Sequence, residues 1–187
     1  TPLRETIKHT SLFNFDIAPA SADLAGSNIE LLDKEDREKV LSDILSPSAE
    51  NYDFVLLDPP PSLGILTINT LVAAKEVIIP IQCEFFALKS LDQLFEIFDL
   101  LEKNLGKKFY QIFGLLTMYD KRNILSREIV KEAKETFSGK ILEAIIPRSI
   151  RLAEAPKFGK TIFQYAPESK GARAYEKLAE EINFLKT

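Results

Sequence analysis

Residues 55–64 read Val-Leu-Leu-Asp-Pro-Pro-Pro-Ser-Leu-Gly, and this stretch decides the fold class. Its apolar run predicts a buried strand, Phe54–Asp58, with a carboxylate at the carboxyl end. In open α/β sheets ligands bind beyond the carboxyl ends of the strands, where a carboxylate can hold Mg²⁺ through its water shell. On these residues alone, the alternative is an aspartate that merely caps the next turn.

The prolines that follow Asp58 fix φ and remove backbone donors, so they predict a stiff loop. We call this segment the proline loop; it comprises Pro60, Pro61, Ser62, Leu63 and Gly64. A stiff loop beside a metal-linked carboxylate suits a switch that responds to a terminal phosphate.

Around this stretch, short apolar runs alternate with longer segments of helical period. Most runs are apolar on both faces, as buried parallel strands are, and they predict strands at Phe13–Ala18, Phe54–Asp58, Val77–Ile81, Ile112–Met118 and Ile141–Ile146. The segments between them predict helices at Lys34–Leu45 (with Asp33 as N-cap), Leu63–Ala74, Leu88–Leu105, Ile124–Phe137 and Ser169–Phe184. This alternation predicts a three-layer α/β fold, a mostly parallel twisted sheet flanked by helices, in a single domain over residues 1–187.

The amino-acid composition excludes several classes of protein. Apolar residues make up 45% of the 187 residues and charged residues 28%, and no apolar run approaches the roughly 18 residues of a membrane helix. The single cysteine, Cys83, excludes an internal disulfide and a multi-cysteine iron–sulfur site within one chain. The first residues show no secretion signal, so we expect a cytoplasmic protein and interpret Cys83 and the sole histidine, His9, as structural.

Charge is distributed unevenly along the chain. The net charge is −4, yet residues 1–120 carry 10 Lys/Arg and 19 Asp/Glu, whereas residues 121–173 carry 12 and 6. A local basic excess permits a polyanion-binding face on an otherwise acidic protein, although a solvated basic helix surface is the alternative.

Several sequence blocks resemble the ParA/Soj family of partitioning ATPases. Tyr52-Asp53-Phe54, the segment Asp58–Gly64 and Thr67-Ile68-Asn69 are similar to the family's Walker B region. Further resembling blocks, in the family's order, are Ala18–Gly26, Ile79–Leu88, Leu116–Asp120, Ile146–Pro156 and Pro167–Ala172, so the resemblance covers residues 13–182.

Two departures from the family pattern stand out. Pro59 occupies a position where the family commonly has cysteine, and the family's phosphate-binding loop ending in Gly-Lys-Thr is not present. The tripeptide Gly159-Lys160-Thr161 does not replace it, because Glu154 stands where the loop's first glycine is needed and no apolar strand leads in. We therefore expect the phosphate-gripping lysines and the N-terminal strand to lie before Thr1 in the intact protein.

The resemblance implies a P-loop NTPase-like protein that binds ATP or ADP with Mg²⁺. By position it implies Asp58 as the catalytic and metal residue, the proline loop as a switch, Met118, Pro147 and Arg148 at the adenine, and Arg122 and Arg151 as DNA contacts. It further implies an ATP-dependent homodimer that binds DNA non-specifically at the nucleoid, and a ParB-like centromere-binding protein that stimulates hydrolysis. The chain alone is expected to be inactive without its P-loop.

Two alternatives remain at this stage. A MinD-like ATPase bound to a membrane would need a basic amphipathic C-terminal helix, whereas residues 180–187 begin with two glutamates, so no membrane partner is expected. A truncated homologue could instead act as a non-catalytic module that binds DNA or a partner.

Overall fold

The structure is a computed structural model, and it describes residues 2–31, 33–85 and 87–185. Phe86, within the resembling block Ile79–Leu88, therefore lies outside the described residues. The chain divides into two units, residues 1–75 and 76–187. The expectation of a single domain stays a prediction.

The first unit consists mainly of short elements. They are α1 (Leu3–Thr6), β1 (Lys8–His9), β2 (Asp16–Ile17), a 3₁₀ turn (Ala22–Gly26), α2 (Ser27–Glu30), α3 (Val40–Ala49) and α4 (Ile65–Ala73). The predicted helix Leu63–Ala74 is confirmed as α4. The helix predicted from Lys34 begins only at Val40, because the backbone at Asp36 has a φ of 52°, and a residue in the left-handed region cannot continue a right-handed helix.

Of the two strands predicted in the first unit, Phe13–Ala18 is much shortened and Phe54–Asp58 is wrong. Of Phe13–Ala18 only β2 is a strand, and it pairs antiparallel with β1. Residues 54–58 form no strand, and Phe54, Val55 and Leu56 are 46%, 43% and 82% exposed. A strand requires a neighbour to share its hydrogen-bond ladder, and within the described residues this segment belongs to neither sheet.

The second unit carries the parallel sheet. Its elements are β3 (Glu76–Gln82), α5 (Lys89–Leu105), β4 (Gln111–Tyr119), α6 (Ile124–Thr136), β5 (Lys140–Pro147), α7 (Ile150–Glu154), a 3₁₀ turn (Ala155–Phe158), α8 (Ile162–Tyr165) and α9 (Lys170–Leu185). The strands lie in the order β3-β4-β5, and both pairings are parallel. This confirms the α/β prediction, with the three strands and the helices α5, α6 and α9 close to their predicted bounds.

The core of the second unit lies on the central and last strands. Phe113 and Leu115 of β4 pack with Leu142 and Ala144 of β5, and Leu178 of α9 joins them. Four consecutive residues of β4, 113–116, are buried, which is the two-sided burial that the continuous apolar run predicts. Helix α5 ends at Leu105, and the next residue, Gly106, has a φ of 64°, the left-handed conformation that glycine adopts at low cost.

A carboxylate compensates for an irregularity in β5. The register between β4 and β5 shifts after the pair Gly114–Ile141, and a bulge of this kind leaves backbone groups without ladder partners. The Glu181 carboxylate of α9 accepts hydrogen bonds from the backbone N–H groups of Glu143 and Ala144, at 2.8 and 2.9 Å. Helix α9 is therefore attached to the sheet by polar as well as apolar contacts.

Candidate functional site

The parallel register brings three strand ends to one edge of the second unit. Gln82 at the end of β3 lies beside Thr117 of β4, and Tyr119 at the end of β4 lies beside Pro147 at the end of β5. The loops that follow the three strands therefore start at the same edge, which is where open α/β sheets bind ligands.

Met118 marks this edge by its strained backbone. It is the penultimate residue of β4, its φ is 54°, and its side chain is 37% exposed. A non-glycine residue held in this region costs roughly 1–3 kcal/mol and is found preferentially at functional sites. Met118 is thus not core filler, and it lies next to the residue that pairs with Pro147.

Arg148 ties the three strand ends together. Its backbone N–H donates to the carbonyl of Tyr119 at 2.9 Å, and its Nη2 donates to Oε1 of Glu84 at 2.6 Å. Glu84 is the second residue after β3, so this ion pair joins the loop after β3 to the loop after β5. Both side chains are about half exposed, at 56% for Arg148 and 51% for Glu84, which leaves them open to a ligand.

Arg122 lies in the loop after β4 and is held by Asp120. Its Nε donates to Oδ1 of Asp120 at 3.1 Å and its Nη2 to Oδ2 at 2.8 Å, while its backbone N–H also donates to Oδ1 at 3.0 Å. These hydrogen bonds lower the pKa of Asp120 to about 2. The guanidinium is 84% exposed, so Arg122 is presented to solvent in a defined orientation.

Arg151 lies in α7, shortly after β5. Its Nη1 donates to Oε2 of Glu154 at 3.2 Å, and the same oxygen accepts a hydrogen bond from the Tyr165 hydroxyl at 2.9 Å. The Arg151 side chain is 61% exposed. Arg148, Arg122 and Arg151 are therefore all solvent-accessible, and each is paired with a carboxylate.

The first unit carries the predicted metal residue. Asp58 is exposed, which is compatible with contact to Mg²⁺ through water, and the proline loop after it is exposed except at Gly64. No group of three or more His, Cys, Asp or Glu side chains arranged to hold a metal occurs in the described part of the chain. A single carboxylate fits Mg²⁺, which keeps several waters and shares a nucleotide's phosphates, rather than a metal held by protein alone.

A buried hydroxyl attaches the proline loop to α4. Thr67 is 7% exposed, and its Oγ1 donates to the carbonyl of Ser62 at 2.6 Å and lies 3.3 Å from that of Pro60. Two residues later, Asn69 accepts from the Leu41 backbone N–H and donates to the carbonyl of Arg37. The proline loop is therefore anchored to a helix that is itself anchored to α3.

Comparison with known proteins identifies the family. A family described as AAA domain matches residues 1–112. The chain is 45% identical over 181 residues to the chromosome-partitioning ATPase Soj of Treponema pallidum, which covers 96% of this chain and 71% of that protein. It is 41% identical over 181 residues to the chromosome partitioning protein ParA of Myxococcus xanthus, covering 97% of this chain and 64% of that protein. The chain belongs to the ParA/Soj family.

Solved structures place this ParA/Soj chain in the P-loop NTPase-like fold. The cobyrinic acid a,c-diamide synthase of Mycobacterium smegmatis, solved with an ATP analogue and magnesium, is 30% identical with a TM-score of 0.77, covering 96% of this chain and 66% of that one. The cell division ATPase MinD of Pyrococcus furiosus, at 24% identity and a TM-score of 0.75, shares the fold over 99% of this chain and 72% of its own. This ParA/Soj chain thus spans about two thirds of the length of the proteins it matches.

The structure brings some of the sequence-predicted residues together. Met118, Pro147 and Arg148 share one edge of the second unit, and Arg122 and Arg151 follow the same strand ends, whereas Asp58 and the proline loop belong to the first unit. Sequence reasoning assigned no role to Glu84, Asp120, Glu154 or Thr67. For Asp120 and Glu154 the available signal was an acidic residue two or three positions from a predicted arginine, whereas Glu84 is 64 residues from Arg148 and gave no such signal.

Two lesser sequence interpretations can be compared with the geometry. The tripeptide Gly159-Lys160-Thr161 forms the turn into α8, where Thr161 and Gln164 make a reciprocal capping box, so it has a structural role.

His9 contacts Asp16 through Nδ1 at 2.7 Å, and Asp16 also accepts a hydrogen bond from the Tyr52 hydroxyl at 2.8 Å. These bonds connect β1 and β2 to Tyr52, at the start of the segment that resembles the family's Walker B region.

Cys83 is expected to be chemically inert in the native protein. It is 1% exposed, and burial raises the pKa of its thiol to about 11. Because the thiolate is the reactive species, a chromogenic thiol reagent at pH 8 should react roughly 100-fold more slowly with folded than with denatured protein. Equal rates for the two states would show that Cys83 is accessible and that this interpretation is wrong.

Among residues 2–31, 33–85 and 87–185, no helix is both long enough and apolar enough to cross a bilayer.

Proposed function

We propose that the intact protein is a partitioning ATPase whose ATP- and Mg²⁺-dependent homodimer binds DNA non-specifically. Hydrolysis, stimulated by a ParB-like centromere-binding protein, then releases the DNA during chromosome or plasmid segregation. We expect it in the cytoplasm, at the nucleoid. The observation that carries the proposal is the meeting of three strand ends at one edge, with Met118, Pro147 and Arg148 beside the loop that presents Arg122.

Each proposed role follows from the chemistry of the residue. Met118 and Pro147 offer an apolar surface to the face of an adenine, and Arg148 offers polar groups to its edge. Asp58 holds Mg²⁺, which when bound neutralises charge on the transferring phosphoryl group. Arg122 and Arg151 contact DNA phosphates, for which an exposed guanidinium is well suited.

We further propose that the phosphate-binding loop lies in the third of the relatives' length that this chain does not span. The sequence of 187 residues contains no Gly-x-x-x-x-Gly-Lys-Ser/Thr motif. In the first unit Phe13 is 93% exposed and Leu56 is 82% exposed, and each would contribute about 1.5–3 kcal/mol to stability if a further segment covered it.

A comparison of two proteins tests this proposal. Residues 1–187 alone should hydrolyse ATP no faster than the uncatalysed background, because the β- and γ-phosphates have no preorganised backbone cradle. The intact protein should show steady-state, Mg²⁺-dependent turnover that rises when DNA and the centromere-binding partner are added.

Two outcomes would contradict parts of this proposal. Turnover by residues 1–187 that Asp58→Ala abolishes would show that the chain contains a complete site. Absence of Mg²⁺-dependent turnover in the intact protein would favour the alternative, a non-catalytic module that binds DNA or a partner.

A further inference from the structure

Each of the three arginines that we propose to contact adenine or DNA forms an ion pair with an acidic side chain. The pairs are Arg148 with Glu84 at 2.6 Å, Arg122 with Asp120 at 2.8 Å and Arg151 with Glu154 at 3.2 Å. Counting Lys and Arg along residues 121–173 therefore overstates the positive charge that these positions offer to a polyanion.

The pairing involves the most hydrogen bonds at Arg122. Asp120 accepts from Nε and Nη2 of the guanidinium and also from the Arg122 backbone N–H. A guanidinium has five N–H donors, so the fork to Asp120 leaves N–H groups that can still reach a phosphate oxygen. The geometry of Arg122 is thus compatible with DNA binding, but its charge is largely compensated.

We propose that Asp120 limits the affinity of the protein for DNA by neutralising Arg122, and that Glu154 does the same at Arg151. This inference rests on the proposed function, because it assumes that these arginines contact DNA phosphates. Counterion release makes affinity depend on the net positive charge placed against the backbone. An acid within 3 Å of the contacting guanidinium reduces that charge, while the exposed side chain remains in place.

Such an arrangement keeps DNA binding weak enough to be reversed. A switch must release DNA when its state changes, and a fully uncompensated arginine pair in each subunit would oppose release. The low pKa of Asp120, about 2 because Arg122 donates to it, means that the acid stays ionised at every physiological pH. Compensation of Arg122 is therefore a constant property of the loop and not a pH-dependent one.

The test uses the intact protein with ATP and a short fluorescent duplex, titrated at several salt concentrations. Asp120→Asn retains an oxygen for the Arg122 backbone N–H and removes the negative charge. We expect it to bind DNA roughly 10-fold more tightly at about 0.1 M salt, with a log–log salt slope steeper by about 1–2 in a dimer. Glu154→Gln should change affinity in the same direction.

Two further variants separate the possible explanations. Asp99→Asn removes the same charge from an exposed position on α5 and should change affinity by less than about 2-fold, because Asp120 and Glu154 are the acids paired with the proposed DNA-contacting arginines. Asp120→Asn should tighten binding less in an Arg122→Ala background than in the wild type, since only in the wild type does it free Arg122 for a phosphate contact.

Other results would overturn the inference. If Arg122→Ala weakens DNA binding but Asp120→Asn leaves it unchanged or weakens it, Asp120 only positions Arg122 and the inference is wrong, while the proposed DNA site stands. If Arg122→Ala has no effect on DNA binding, the proposed DNA site itself is wrong. If Asp120→Asn and Asp99→Asn strengthen binding equally, overall charge accounts for the gain and Asp120 has no specific role.

Discussion

Replacing Asp58 by alanine in the intact protein is expected to lower kcat for Mg²⁺-dependent ATP hydrolysis on the order of 10³-fold. Charge stabilisation by a correctly held metal is worth several kcal/mol in the transition state, and each 1.4 kcal/mol corresponds to about a tenfold change in rate. Asp58 is exposed and is the acidic residue just before the proline loop, so the substitution would remove its proposed contact to the metal without loss of packing.

The same substitution should leave the fold almost unchanged. Exposed side chains outside buried networks usually alter the free energy of unfolding by less than about 0.5 kcal/mol. Asp43→Ala, at an exposed position on α3, is the matched control and should retain wild-type turnover. Chemical denaturation and steady-state kinetics on both variants decide the matter, and near-wild-type turnover of Asp58→Ala would remove Asp58 from the site.

Helices and strands whose hydrophobic pattern is long and regular were predictable from sequence. The helices α5 and α9 begin and end within a residue or two of their predicted bounds, and β3, β4 and β5 differ by one residue at each end. The helix bounds were predictable because an apolar stripe that continues over four turns can be buried only if the whole segment is helical. For the strands, continuous apolar runs between polar turns indicate two-sided burial, and β4 shows it.

Phe54–Asp58 shows where such reasoning stops. Its composition is that of a buried strand, yet the segment is exposed and belongs to no sheet among the described residues. Strand formation depends on a partner elsewhere in the chain, and composition does not reveal whether that partner is present. Similarly, the helix predicted from Lys34 is shortened by the left-handed backbone of Asp36, and aspartate adopts that conformation only when local turns favour it.

The sequence named candidate site residues, which remain predictions, but it did not reveal the contacts between them and their neighbours. Resemblance indicated Arg148, Arg122 and Arg151, whereas their acidic partners were missed. Glu84 lies 64 residues from Arg148 along the chain, so only the parallel order of β3, β4 and β5 brings the two together. Asp120 is close to Arg122 in sequence, but its fork to the guanidinium depends on the turn that the loop adopts.

The double substitution Arg122→Ala with Arg151→Ala is expected to weaken DNA binding by the ATP-bound protein while sparing ATP binding. Both arginines are exposed, at 84% and 61%, and they lie in the basic segment of residues 121–173. Each substitution removes one positive charge, so if each arginine contacts one phosphate in each subunit of a dimer, about four contacts are lost and the log–log salt slope of duplex affinity should fall by up to about 3–4.

Sequence dependence provides the second criterion for this variant. Phosphate contacts position a protein on DNA without reading bases, so the loss should be equal for duplexes of different sequence. Arg127→Ala with Lys131→Ala, two exposed cations on α6, removes the same charge from the same basic segment and should reduce the slope less. Isotherms at four or more salt concentrations distinguish the outcomes. An unchanged slope would make Arg122 and Arg151 ordinary surface residues, and a loss confined to some sequences would mean that they contact bases.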